Sequence, residues 1–199
     1  MLEPASIAVH ALRRTPIVLG DAVLVVGAGP IGLLVLQCAR AAGAGQVVVV
    51  EPSAPRARLA SELGAAAVID PNAEDVASRL AELCGPVGPD VVFECAGIPA
   101  TIDQSVTWVR RGGVVSLVGM ATLPAQISPG TWLIKEVRLV ASLGQLHDEF
   151  DTAMQLVADG RLQLEPPHTK TVSLSNVEEG FRDLLSGGEH VKILVDPRG

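Results

Sequence analysis

The chain has 199 residues, 48% of them apolar and 19% charged, with a formal net charge of −7. That is enough chain for one good core, and an acidic balance with no basic run speaks against a nucleic-acid partner or an anionic membrane surface. Cys38, Cys84 and Cys95 are too few and too scattered for a disulfide framework or a zinc knuckle, and His10, His147, His168 and His190 show no metal spacing. The opening "MLEPAS" lacks the basic and apolar regions of a secretion signal, so the cytoplasm is the expected compartment.

In chain order, the first strand is expected at 22–27 (AVLVVG), followed by a helix at 30–42 and a strand at 46–51 (QVVVVE). A helix at 54–64, a strand at 66–70, a helix at 73–83, a strand at 90–95, a helix at 99–110 and a strand at 113–118 continue the alternation. The strands are continuous apolar runs without period-two alternation, which is the pattern of strands covered on both faces. Glycine and proline break the longest of these runs, so no membrane span is expected. Strand–helix–strand repetition implies a parallel sheet with right-handed crossovers. The fold class is therefore α/β, a doubly wound Rossmann sheet of six strands in the order 3-2-1-4-5-6.

After 118 the rhythm falters. "GMATLPAQISPGTWLIKE" holds two prolines and short apolar pieces, which predict a short edge strand at 125–128 (AQIS) and a single turn before a sixth strand at 137–142. An amphipathic helix is expected at about 146–159, a break at "EPP", then a strand at 169–173, a helix at 175–186 and a strand at 190–195.

The chemistry lies in the first strand–helix turn. Gly27-Ala28-Gly29-Pro30-Ile31-Gly32 is a G-x-G-x-x-G directly after a buried strand and directly before a helix. Gly27 permits the tight turn, Gly29 lets backbone approach a pyrophosphate, and Gly32 lets the helix pack on the strand. Pro30 suits the first helical turn, where its missing amide has no helical partner. Exposed amides and the helix dipole at this end favour an anion. Glu51 ends the second strand, 19 residues past Gly32, where a carboxylate can accept hydrogen bonds from both ribose hydroxyls. A 2′-phosphate would bring like charges together, so NAD is expected over NADP. Arg56 lies within reach of the adenosine side, where it can soften that discrimination. No G-x-S-x-G and no G-K-[ST] occurs, so serine hydrolase and P-loop chemistries are not indicated. Cys38 reads as core, and Cys95 as a small residue beside the cofactor.

Taken together, "LEPASIAVHA", "GAGPIG", "VVVVEPS", "FECAG", "GGVVSLVGM" and "EHVKILVDP" resemble the medium-chain dehydrogenases/reductases, in that family's order and spacing. The likeness runs along essentially the whole chain and is greatest to the zinc-dependent alcohol and polyol (sorbitol) dehydrogenases. In that family a GroES-like catalytic domain precedes this segment and carries the zinc ligands. The resemblance thus implies a C-terminal part: residues 1–14 a remnant of the catalytic domain with its connecting helix, 15–163 the NAD-binding domain, and 164–199 a return segment. It implies that Cys95 and Ala96 lie under the adenine ribose and nicotinamide. Val118 and Met120 then meet the nicotinamide ribose and ring, Ala141 and Leu143 its carboxamide, and Lys192 the pyrophosphate. Glu3 matches a glutamate that binds the catalytic zinc directly or through its water, an incomplete site without Cys and His partners.

For the complete enzyme, the resemblance implies that zinc polarises an alcohol and hydride passes to NAD. The chain alone is expected to bind NAD, to hold no zinc and to turn over no alcohol. A zinc-free quinone or enoyl reductase and a non-enzymatic NAD-binding module are the competing readings. A homodimer through 125–128 is implied as well, since an open sheet edge invites pairing.

Overall fold

The computed structural model describes residues 1–186 and 190–198. Six parallel strands form one sheet: β1 (Ala22–Val26), β2 (Gln46–Val50), β3 (Ala67–Ile69), β4 (Val91–Glu94), β5 (Val114–Leu117) and β6 (Arg138–Ala141). Their order is β3-β2-β1-β4-β5-β6, the order expected from the alternating pattern. Helices α1 (Leu2–Arg14), α2 (Pro30–Ala41), α3 (Ala54–Glu62), α4 (Val76–Cys84) and α5 (Pro99–Trp108) cover the faces, with α6 (Pro129–Lys135) and α7 (His147–Ala158) beyond them. The tail forms a separate pair of parallel strands, β7 (His168–Ser173) and β8 (Lys192–Asp196), joined through a 3₁₀ turn and α8 (Val177–Leu185). Glu189, which opens the "EHVKILVDP" motif, lies outside the described residues. No helix among the described residues is long and apolar enough to cross a membrane.

The side chains of the central strands alternate between two cores. Val23, Val25 and Phe93 pack with α1 and α2 on one face, while Leu24, Val26 and Val92 pack with Leu80 and Val106 on the other. This double coverage is why the strands read as unbroken apolar runs.

Three contacts tie distant parts of the chain to this frame. Thr15 Oγ1 donates to Ser116 Oγ at 2.8 Å inside the core. His10 Nδ1 sits 2.9 Å from both carboxylate oxygens of the buried Glu149, joining α1 to α7. Gln37 on α2 reaches the turn after α7: its Nε2 donates to Gln163 O at 3.1 Å, and its Oε1 accepts from Gln163 N at 2.7 Å.

The region 118–137 differs from the expectation. No strand forms at 125–128, and the expected single turn is the seven-residue helix α6. A strand needs a partner, and among the described residues none pairs with this segment, the outer edge of β6 included. Ser128 instead gives its amide and its hydroxyl to the Asp103 carboxylate, both at 2.9 Å, and Trp132 Nε1 donates to the same group at 3.0 Å. These bonds hold the Asp103 carboxyl below the usual carboxylate range, the Ser128 amide most of all. Pro129 then starts α6 with φ already set.

Gln37→Leu tests the tie between α2 and the turn after α7. The change removes two hydrogen bonds to the Gln163 backbone, which costs about 1–3 kcal/mol. For a chain of this size that lowers the thermal midpoint by roughly 2–12 °C. A midpoint within about 2 °C of the parent would contradict the role given to Gln37.

Candidate dinucleotide cleft

All six strands run parallel, so their C-terminal ends share one edge. The order reverses between β1 and β4, and a crevice opens there, as in open α/β sheets generally. A cleft of about 320 Å³ lies at this point, lined among others by Gly27, Gly29, Glu51, Arg56, Cys95 and Ala96. Residues that end three different strands are thereby brought together.

The turn after β1 has the geometry its glycines suggest. Gly27 has φ +92°, and a Cβ there would lie 3.1 Å from the backbone of Ala96. A Cβ on Gly32 would fall 1.9 Å from the Gly27 carbonyl oxygen, so the helix start rests directly on the turn. A Cβ on Gly29 would meet nothing within 4 Å. The backbone at Gly29 therefore faces open space in the cleft. Pro30 begins α2 and contributes no amide, while the amides of Ile31 and Gly32 make no hydrogen bond among the described residues. Unpaired amides at the N-terminus of a 12-residue helix are an anion site in waiting.

Glu51 has a part that spacing alone did not reveal. It is only 4% exposed. One oxygen accepts from the Ala28 amide at 2.7 Å, and the other from the Ser53 amide at 2.9 Å. The carboxylate thus ties the glycine turn to the end of β2. With about four acceptor positions, it keeps capacity for further donors from the cleft. Arg56 stands on the same wall, and its buried Nε has no hydrogen-bond partner among the described residues.

A second cleft, of about 420 Å³, lies at the ends of β5 and β6 and contains Val118, Met120, Ala141 and Leu143. Arg14 of α1 donates through Nε to the Ala141 carbonyl at 2.9 Å, so α1 is anchored to this cleft.

Two of the residues singled out lie elsewhere. Lys192 begins β8, in the two-stranded sheet, and lines neither cleft. Glu3 is exposed in the first turn of α1. Among the described residues no three His, Cys, Asp or Glu side chains gather closely enough to hold a metal ion. The residues present do not by themselves fit a zinc site.

The thiols are poorly suited to nucleophilic work. Burial pushes the Cys38 thiol up to about 12. Cys95 is raised further, first by burial and then by the neighbouring Glu94 carboxylate. Arg14, Glu94 and Thr101 were not anticipated as site residues. The one signal for Glu94 was a charge ending an otherwise apolar run.

The chain matches the family model described as "Zinc-binding dehydrogenase" over residues 30–159. It is 36% identical over 198 residues to (R,R)-butanediol dehydrogenase of Bacillus subtilis (strain 168), covering 99% of this chain and 57% of the relative. It is 33% identical over 201 residues to sorbitol dehydrogenase of Macaca fascicularis, covering 99% of this chain and 56% of that one. The structure of a putative zinc-binding dehydrogenase from Sinorhizobium meliloti 1021 bound to NADP superposes with a TM-score of 0.87 at 34% identity, over 98% of this chain and 58% of the other. The chain therefore spans a little over half the length of the relatives it matches.

Proposed function

This chain belongs to the zinc-binding dehydrogenase family, and on that basis we propose that it is the dinucleotide-binding part of an oxidoreductase acting on small alcohols or polyols, with NAD preferred over NADP. Residues 15–163 are read as the nucleotide unit, flanked by 1–14 and 164–199. The observation that carries the reading is the bond from the Ala28 amide to the buried Glu51 carboxylate, in a cleft where Gly29 faces open space.

Each residue has a definite part in this reading. The Ile31 and Gly32 amides receive the pyrophosphate, since Ala28 is engaged and Pro30 has no N–H. Glu51 accepts from the ribose hydroxyls with the acceptor capacity its two amide bonds leave free. Cys95 and Ala96 form the floor, and Val118, Met120, Ala141 and Leu143 bound the space for the nicotinamide end. A nicotinamide dinucleotide held there supplies the hydride acceptor. No metal step is assigned to residues of this chain, and the 199 residues alone are expected to bind the dinucleotide without oxidising alcohols.

Preference for NAD follows from charge. A 2′-phosphate would stand beside the Glu51 carboxylate, and like charges about 4 Å apart cost about 1–4 kcal/mol at effective dielectrics between water and a protein surface. The free Arg56 Nε opposes that penalty in part, so NADP is expected to bind, more weakly. Calorimetry on the full chain should give an NAD dissociation constant about tenfold or more below that of NADP, a difference of about 1.4 kcal/mol. Glu51→Gln keeps an acceptor for one amide while removing the charge, and should shrink the ratio. Equal constants for the parent chain would overturn the preference, and no binding of either would overturn the reading.

A homodimer is proposed through the open edge of β6 and the segment before it. Leu133 and Ile134 on α6 are 79% and 73% exposed, with Leu123, Ile127 and Leu139 also exposed nearby in sequence. Apolar surface of this kind beside an unpaired edge marks an interface. Light scattering at tens of micromolar should give twice the chain mass, reduced by Leu133→Asp with Ile134→Asp. A parent chain that scatters as a monomer would refute the dimer.

A further inference from the structure

Glu94 ends β4 and is fully buried, yet no step above uses its side chain. Its Oε1 accepts three hydrogen bonds: from the amides of Ala96 at 3.0 Å and Gly97 at 2.9 Å, and from the Thr101 hydroxyl at 2.8 Å. Its Oε2 is buried with no hydrogen-bond partner among the described residues. The backbone carbonyl of the same residue accepts from the Val118 amide at 2.9 Å and the Gly119 amide at 2.8 Å. One residue thus holds two turns, 95–97 on the first cleft and 118–120 on the second.

Those turns have little slack. A Cβ on Gly119 would lie 2.3 Å from the Gly97 nitrogen, and one on Gly97 would lie 3.0 Å from the Met120 backbone. The glycine turn after β1 also leans on Ala96. A shift at 96–97 is therefore transmitted to Gly27 on one side and to Met120 on the other. Burying a carboxyl group is costly, and an apolar residue would fill this space more cheaply. What the carboxylate adds is a strong acceptor that fixes two amides and a hydroxyl at once.

We propose that Glu94 is a positioning residue for the dinucleotide: it sets the separation of the 95–97 and 118–120 turns, and with it the alignment of the two ends of the cofactor. This rests on the reading of the cleft as a dinucleotide site.

The test is calorimetric titration of NAD into the full chain and three variants. Glu94→Gln preserves length and an oxygen acceptor, and should bind within about threefold of the parent. Glu94→Asp withdraws the acceptor by one methylene, roughly 1.5 Å, and should bind at least tenfold more weakly. Gln37→Leu destabilises the fold outside the lining of either cleft and should leave affinity unchanged, which separates positioning from general loss of stability. If Glu94→Asp binds as well as the parent, loses no more affinity than Gln37→Leu, or is matched in its loss by Glu94→Gln, the assignment is overturned. Should Glu94→Asp not fold, Thr101→Val and Thr101→Ser ask the same question through the hydroxyl that Glu94 holds. Weaker binding by Val alone supports the assignment, and equal affinity overturns it. A parent chain that binds neither NAD nor NADP defeats the reading of the cleft and the role of Glu94 with it, whereas a parent that binds while the variants fail to separate defeats Glu94 alone.

Discussion

The bond between the Ala28 amide and the Glu51 carboxylate is the constraint on which the cleft depends. The Gly27 amide donates to the Val50 carbonyl at 2.8 Å, and the carboxylate extends that hold on the turn after β1 by one residue, to Ala28. With it, the turn, the end of β2 and the start of α3 form one unit, because the second carboxylate oxygen takes the Ser53 amide. A buried carboxylate is stable there because both of its oxygens accept from backbone donors. The same group faces the cleft, so the element that builds the site also sets its charge.

Glu94 does on the other side of β1 what Glu51 does on the first. Val26 pairs with Val50 on one flank and with Glu94 on the other. Two carboxyl groups therefore frame the central strand at its C-terminal end, each fixing amides of the turn that follows its own strand. The turns that would touch a ligand are short and glycine-rich, and such turns are intrinsically loose. Side-chain acceptors from the rigid sheet are what give them a single geometry. The N-terminal helix adds a third restraint through Arg14 on the Ala141 carbonyl, and α1 is itself clamped to α7 by His10 and Glu149.

Much of this was legible in the sequence, for a physical reason. Strands covered on both faces must be continuously apolar, so β1, β2, β4 and β5 stand out, and the alternation with helices leaves few topologies. Gly27 and Gly32 were readable because each answers a steric demand that no other residue meets, whereas Gly29 was readable only from the motif, since a Cβ there would meet nothing within 4 Å. The strand at 125–128 was misjudged because a strand depends on a partner, and the local signals of Pro124 and Pro129 say nothing about one. The amide bonds of Glu51 were hidden because they depend on how the turns fold back. The contact of Arg14 with Ala141 spans 127 positions along the chain, and no local pattern announces it. Lys192 was placed by likeness alone; it begins β8 in the two-stranded sheet and is not among the residues lining the two clefts.

The central claim is that buried carboxylates hold the turns of this cleft while leaving specific amides free for a dinucleotide. Amide-resolved NMR during an NAD titration addresses it directly. The account predicts that Ile31, Gly32, Cys95 and Ala96 shift on binding. It also predicts that the Ala28 and Gly97 amides, engaged by Glu51 and Glu94, are protected from solvent exchange before any NAD is added. Fast exchange at Ala28 and Gly97 in the free protein, or shifts confined to residues outside the two clefts, would contradict it.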